Sequence, residues 1–384
     1  MMMRYSTDFL VLPPPFMPPP PPLPPDIPFP GPASRLSQSL LHLHVVGSTP
    51  QFTPIGGSIP PNWLSGFPLN KFAVATDLPD DKTLLGILQR LKLTEKQLWD
   101  NSFPRWIDAD RRQAVVNPSF FENWSGRKEI IPDQETKRKC VRCHANYRLP
   151  IDGRKRVDFC IHHTEPAIYS SDRKIHPCCG RAQGVAGCQH SESHVTDTMR
   201  ASVLHEFQPT PAPTGPSDPR SDTFFALDCE FVYTTVGKEA ARVTVVDRYG
   251  KEVLDCVFRP EHEIVDPNTR YSGLTINEIE SSNWTLNDVR KLLFEKINSD
   301  TLLIGHGLEN DLKTLRIVHS NVIDTSVLFL RSDVLGCTFK QSLKSLAREH
   351  LDMEIQADPG GHDSGEDAWA AMQLVLKVAV LMKM

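Results

Sequence analysis

The stretch 224–232 constrains the fold of this chain more than any other. It is apolar throughout except for Asp228 and Glu230. Its aromatic and β-branched residues predict a strand, and side chains two apart on a strand share one face. Apolar residues on either side predict a central strand rather than an edge. Two carboxylates would then project together from a buried face, an expensive arrangement unless something neutralises them. A divalent cation is the simplest neutraliser, and hard oxygen ligands select Mg²⁺ or Mn²⁺.

The sequence after this stretch alternates in period. Strands are predicted over 224–232, 241–248, 253–259, 301–305 and 321–325, with Tyr249, Gly250 and Lys251 turning the second into the third. Helices are predicted over 286–297, 308–317, 340–350 and 365–382. Thr285 caps the first of these and Ser364, with Asp367 three residues on, caps the last. Three successive strands followed by strand–helix–strand predict a mixed α/β sheet flanked by helices.

Two further acidic signals fall in this region. Asp311 opens a helix whose apolar face is Leu308, Leu312, Leu315 and Ile317. His362 follows a Pro-Gly-Gly loop, and Asp367 stands five residues on, in the first turns of the last helix. Taken singly, helix dipoles and caps explain the acids. Taken in order, they are Asp228-x-Glu230, Asp311, then His362 and Asp367. That order resembles the DEDDh 3′–5′ exonucleases, of RNase H-like fold, over residues 222–384. The runs Ala226–Thr235, Asn268–Thr275, Val322–Phe329 and His362–Ala368 look like the RNA exonuclease 1 / GOR-antigen branch.

The resemblance implies roles for these side chains. Asp228, Glu230, Asp311 and Asp367 would hold two Mg²⁺ (or Mn²⁺) ions about 3.5–4 Å apart for in-line phosphodiester displacement. His362 would be the general base. The substrate would be the 3′ end of single-stranded RNA, released as nucleoside 5′-monophosphates in RNA processing or degradation. Asn268, Thr269, Arg270 and Phe231 would contact it. His306 and Asp324 are expected to be structural. Two other readings stay open: an adaptor with an exonuclease-like shell and weak or no catalysis, and a single-stranded DNA exonuclease. A degenerate shell should lack one of the metal acids, and none is missing.

Upstream, six of the nine cysteines lie between Cys140 and Cys188. The chain shows no secretory signal pattern, so a dense Cys/His patch reads as metal binding in a reducing compartment. Cys140, Cys143, Cys160, His163, Cys178, Cys179, Cys188 and His194 suffice for one or two tetrahedral zinc sites, with His144, His162, His176 and His190 as alternative ligands. The same exonuclease branch carries a similar segment, which favours Cys188 and His194. A module this short, with few large apolar residues, needs such a staple to fold.

Charge is unevenly spread. Residues 137–195 hold 11 Lys/Arg against 5 Asp/Glu, and residues 222–384 hold 17 against 26. A basic segment beside an acidic one suits a metal-dependent enzyme with a polyanionic substrate. Lys137–Lys139 and Arg154–Arg156 suit RNA phosphates or a nuclear address, giving a nuclear location, or a nuclear and cytoplasmic one, as the expectation.

The remaining segments follow from composition. Of 33 prolines, 13 fall between Pro13 and Pro32, so residues 1–66 are expected as a disordered tail that can bind a protein partner. Residues 67–136 are expected as a small helical region, with Thr94 and Gln97 as a capping box. Residues 137–195 form the zinc module, 196–221 a proline-rich linker, and 222–384 the exonuclease domain. No apolar run approaches the ~20 residues of a membrane helix, so membrane proteins are excluded, as are collagens and fully disordered chains.

Overall fold

In the computed structural model, residues 78–383 are described apart from 109, 151, 171, 333–337 and 358–359. The proline-rich tail therefore lies outside the described residues. Short helices come first: α1 (Asp81–Leu88), α2 (Glu95–Asp100) and α3 (Pro118–Ser125). Thr94 and Gln97 form the capping box at the start of α2. The main sheet follows, with β1 (Phe224–Thr234), β2 (Lys238–Val246), β3 (Glu252–Val257) and β4 (Ile264–Asp266). After α4 (Thr269–Ser272), α5 (Ile276–Ser281) and α6 (Leu286–Lys296) come β5 (Leu302–Gly305), α7 (Glu309–Thr314), β6 (Val322–Asp324) and α8 (Thr325–Leu328). The chain closes with α9 (Leu343–Leu346) and α10 (Ser364–Lys383).

The sheet order is β3-β2-β1-β5-β6, with β4 paired to the far end of β1. The β1–β2 and β2–β3 pairs are antiparallel, and the β1–β5 and β5–β6 pairs are parallel. The mixed α/β sheet flanked by helices is thus present, and β1 is its central strand. A bulge between Glu230 and Phe231 shifts the register against β2.

The period of two along β1 divides the interior. Phe224 and Ala226 join a cluster with Ala368, Ala371, Val375 and other residues of α10, and Leu84 and Leu88 of α1 reach the same cluster. Leu227 and Cys229 face the opposite cluster, with Val289 and Leu293 of α6, Leu312 of α7, and Leu98 and Phe103. The helix α1 thus packs on one face of the sheet and α2 on the other.

Several elements differ from the sequence reading. The helix expected over 308–317 stops at Thr314, because Arg316 turns left-handed at φ 54°. Ile317 and Val318 instead pair in parallel with Gln208 and Pro209. Residues 196–221, expected as a linker, bury Leu204 and Phe207 against Val318 and Ala114. The helix expected over 340–350 is one α turn capped by Ser342, then a wide π turn over Ala347–Leu351. Among the described residues no helix is long and apolar enough to cross a membrane.

Candidate active site and Cys/His metal centres

Asp228 and Glu230 continue the β1 face that carries Phe224 and Ala226, the face packed on α10. Asp367 reaches them from the first turn of α10, and Asp311 from α7 after β5. Glu230, Asp311 and Asp367 are buried, whereas Asp228 keeps some exposure. Asp311 accepts a hydrogen bond from the Cys229 N–H at 2.9 Å, which seats it between the two strand acids.

The electrostatics record the convergence. Burial, then the charges of Asp311, Asp367 and Glu230, push the Asp228 carboxyl well above its ordinary range. Burial and the neighbouring Asp367 raise Glu230 to about 8, against the pull of Arg242. Asp367 is raised to about 6 by burial, partly offset by Gln356, whose Nε2 donates to both its oxygens at 3.1 and 2.9 Å. Asp311 is raised by burial and Glu309, with Lys238 opposing. Glu230 Oε1 is buried without a hydrogen-bond partner. A buried carboxylate oxygen left without a donor fits a bound cation, and hard oxygen donors suit Mg²⁺ or Mn²⁺.

His362 lies at the edge of this cluster, with Nδ1 3.8 Å from Asp367 Oδ2 and a third of its side chain exposed. Burial, then the charge of Lys344, lowers its pKa below the ordinary value. Its backbone N–H donates to the Tyr271 carbonyl at 2.8 Å.

The expected substrate contacts divide. Phe231, at the bulge, carries Lys238 Nζ 4.7 Å over its ring. Lys238 also donates to Asn310 at 3.3 Å. A cavity of about 1000 Å³ opens on the outer side of α7, lined among others by Lys238, Asn310, Lys340, Phe120 and Phe339. Sequence reasoning missed Lys238, for no local pattern connects it to Asp311. Asn268, Thr269 and Arg270 have protein partners: Arg142 for Asn268, the Leu274 carbonyl for Thr269 and Glu165 for Arg270. His306 bonds Thr325, and Asp324 accepts from the N–H groups of Gly307, Leu308 and Ser326, which are structural tasks.

The eight expected Cys/His ligands separate into two sets of four. Cys140, Cys143, Cys160 and His194 form one, and His163, Cys178, Cys179 and Cys188 the other; within each, the ligand atoms all lie within 4.8 Å of one another. Tetrahedral Zn–S bonds of ~2.3 Å place two sulfurs about 3.7 Å apart. Cys140 and Cys160 sulfurs are 3.7 Å apart, and those of Cys178 and Cys188 3.6 Å. His194 Nδ1 is 3.2 Å from Cys143 Sγ, and His163 Nδ1 is 3.4 Å from Cys179 Sγ.

The outer shell fits the same chemistry. His163 Nε2 lies 3.2 Å from the Val185 carbonyl, which fixes its proton there and leaves Nδ1 as the ligand. His176 stacks on His163 at 3.6 Å, and its own Nδ1 bonds the Glu165 carbonyl, so it acts as a support. A third grouping, Glu239, Glu261 and His262, is already neutralised by Arg316, which bonds Glu261 at 2.7 Å and Glu239 at 3.5 Å. The four acids of the candidate active site are not among these tight groupings.

The chain is similar to known exonucleases. It is 37% identical to RNA exonuclease 1 homolog of Homo sapiens over 297 residues, 75% of this chain and 23% of that protein. It is 37% identical to Exonuclease GOR of Pan troglodytes over 75% of this chain and 41% of that one. With RNA exonuclease 3 of Candida glabrata the identity is 30%, over 80% of this chain and 81% of that one. The chain thus spans less than half the length of several curated relatives that it matches. No family model matches the sequence. The solved Pan2 catalytic unit of Neurospora crassa superposes with a TM-score of 0.39 at 29% identity, over 47% of this chain and 32% of that one, too partial a match to build on.

Proposed function

The chain belongs to the RNA exonuclease family of these relatives, and from that membership we propose that it is a DEDDh-type 3′–5′ exoribonuclease of RNase H-like fold, releasing nucleoside 5′-monophosphates. One observation carries the proposal: carboxylates from β1, α7 and α10 share one site, close enough to raise one another's proton affinity, and one buried oxygen has no donor.

Asp228, Glu230, Asp311 and Asp367 would hold the two divalent cations. When bound, the pair supplies a Lewis-acid pull on the scissile phosphate and on its entering and departing oxygens. The remaining steps belong to side chains. His362, beside the acids and partly exposed, accepts the proton of the attacking water as a neutral imidazole. Phe231 offers a ring face for the terminal base, and Lys238 a charge for a backbone phosphate. The cavity beyond Asn310 takes the upstream strand. Each Cys/His set holds one structural zinc, and the basic surface of that module, with Arg154 and Arg156 exposed, adds sequence-independent attraction for RNA. We further propose a nuclear location and a protein partner for the proline tract.

The test is a panel of RNA and DNA, single- and double-stranded, with free and blocked 3′ ends, incubated with the chain and Mg²⁺. Mononucleotides released only from free 3′ ends of single-stranded RNA are expected. Equal release from DNA would make it a general single-strand exonuclease, and no release at all would leave an adaptor.

A further inference from the structure

We infer that the turn Asn268–Ser272 is a buttress through which both Cys/His centres hold His362 in place, making Arg142 and Tyr271 positioning residues for the general base. The inference rests on the reading of His362 given above.

The turn α4 has only four residues, entered through Asn268 in the left-handed conformation and left through Gly273, also left-handed. A single helical turn is not stable by itself, so neighbouring structure must hold it. The first Cys/His centre grips one end. Cys140 Sγ accepts the Arg142 N–H at 3.4 Å, which fixes the start of that side chain. The Arg142 guanidinium then reaches out of the module, bonding Asp266 at 2.6 Å and Asn268 at 3.2 Å, with the Tyr233 ring 5.3 Å beneath it. Asp266 in turn accepts the Asn268 N–H at 2.7 Å. This ion pair is largely shielded from water, where a charge-assisted bond is directional and strong.

The second centre grips the other end. The residues after its ligand His163 meet the turn directly: the Thr164 carbonyl accepts the Tyr271 hydroxyl at 3.2 Å, and Glu165 pairs with Arg270 at 3.3 Å. The Glu165 carbonyl is itself bonded by His176, the residue stacked on His163.

The far side of the turn carries the loop of His362. The Tyr271 carbonyl accepts the His362 N–H, and the Tyr271 ring meets the imidazole edge-on at 5.9 Å. Backbone packs on backbone beside them. A Cβ on Gly361 would fall 2.4 Å from Gly273 Cα and 2.6 Å from the Thr269 carbonyl, and one on Gly273 would fall 2.8 Å from the His362 carbonyl. His362 follows two glycines, so its own chain supplies little stiffness. Its distance from Asp367 is therefore set by α4, and the position of α4 by the two centres.

The experiment is a double-mutant cycle in the full chain, with amide exchange as a second readout. Arg142→Ala should lower kcat about tenfold or more with KM unchanged, as expected for a misplaced catalytic group. It should have no further effect when added to His362→Ala. Exchange in the segment 361–363 should speed up while two zinc ions per chain are retained, and Arg142→Lys should recover part of the rate. Tyr271→Phe removes the Thr164 bond but keeps the ring, and it carries the same cycle should Arg142→Ala fail to fold. An equal loss in the wild-type and His362→Ala backgrounds, or unchanged exchange at 361–363, overturns the inference. A normal kcat for His362→Ala defeats the general-base reading instead, and exchange alone then decides whether the coupling exists.

Discussion

The carboxylate of Asp311 accepts the backbone N–H of Cys229 at 2.9 Å, joining residues 82 positions apart in the chain. Cys229 points its side chain into the core below the sheet, so its N–H stands between two acids that point the other way. This bond seats a helix acid among the strand acids while leaving one of its oxygens for another partner.

Asp311→Asn separates the bond from the charge, since the amide oxygen can still accept from Cys229. The variant is expected to fold with a melting temperature close to wild type and to lose activity by about a hundredfold or more, the scale of removing one transition-state electrostatic contact. Thermal melts and single-turnover assays check it. A parallel loss of fold and activity would assign Asp311 a structural task only.

The raised carboxyls should make stability depend on pH and, through the proposed ligand set, on metal as well. Glu230 and Asp367 ordinarily titrate near 4.5 and 3.8 but are raised to about 8 and about 6 in the fold. The folded state thus binds more protons than the unfolded one. Their contribution is fully present below the ordinary values and is lost as pH rises through 6 and 8. Mg²⁺ should therefore raise the melting temperature more at about pH 8.5 than at about pH 5, with proton release on binding. Buffers free of divalent cations but without chelator, which would strip the Cys/His centres, are needed. Equal Mg²⁺ effects at both pH values would contradict the proposed ligand set.

Much of this site is legible in the sequence because its signals are local. A strand with two interrupting acids, a helix start just before Asp367 and a glycine loop before His362 each lie within a few residues, where period and turn chemistry operate. The cap of α10, however, is Asp363, which accepts from the Gly365 and Glu366 N–H groups, and not the expected Ser364, which bonds Thr244. The eight clustered Cys/His residues are legible because they too lie close together in the chain. Their division is not, because spacing does not say that Cys143 meets His194 while His163, three residues past Cys160, meets Cys179. The Arg142–Asp266 pair spans 124 positions, and only the packed structure brings it together. Residues 196–221 read as a linker from their prolines, yet Leu204 and Phe207 find a partner in Val318.

The two Cys/His sets predict two zinc ions per chain by elemental analysis. Cys143→Ser and Cys179→Ser should each remove one. Because the residues beside each set touch the main domain through Arg142 and Glu165, loss of either ion should lower the melting temperature of the whole chain. A single ion, or none, would contradict the assignment.

Gly361 tests the tightness of the His362 loop. Its backbone lies at φ 126°, and a Cβ there would meet Gly273 backbone at 2.4 Å. Gly361→Ala should displace the loop and lower kcat about tenfold or more, while Mn²⁺ binding measured by calorimetry is unchanged, since the four acids stand on β1, α7 and α10 and none on that loop. Wild-type kcat would show that His362 has no fixed position to lose.

The most direct test of the central claim follows single-stranded RNA labelled at its 5′ end through a time course with the wild-type chain and with Asp228→Ala, in Mg²⁺ and without it. The account predicts a ladder shortening one nucleotide at a time from the 3′ end, seen only with wild type and only with Mg²⁺. Internal cuts, or a ladder that survives Asp228→Ala, would contradict it.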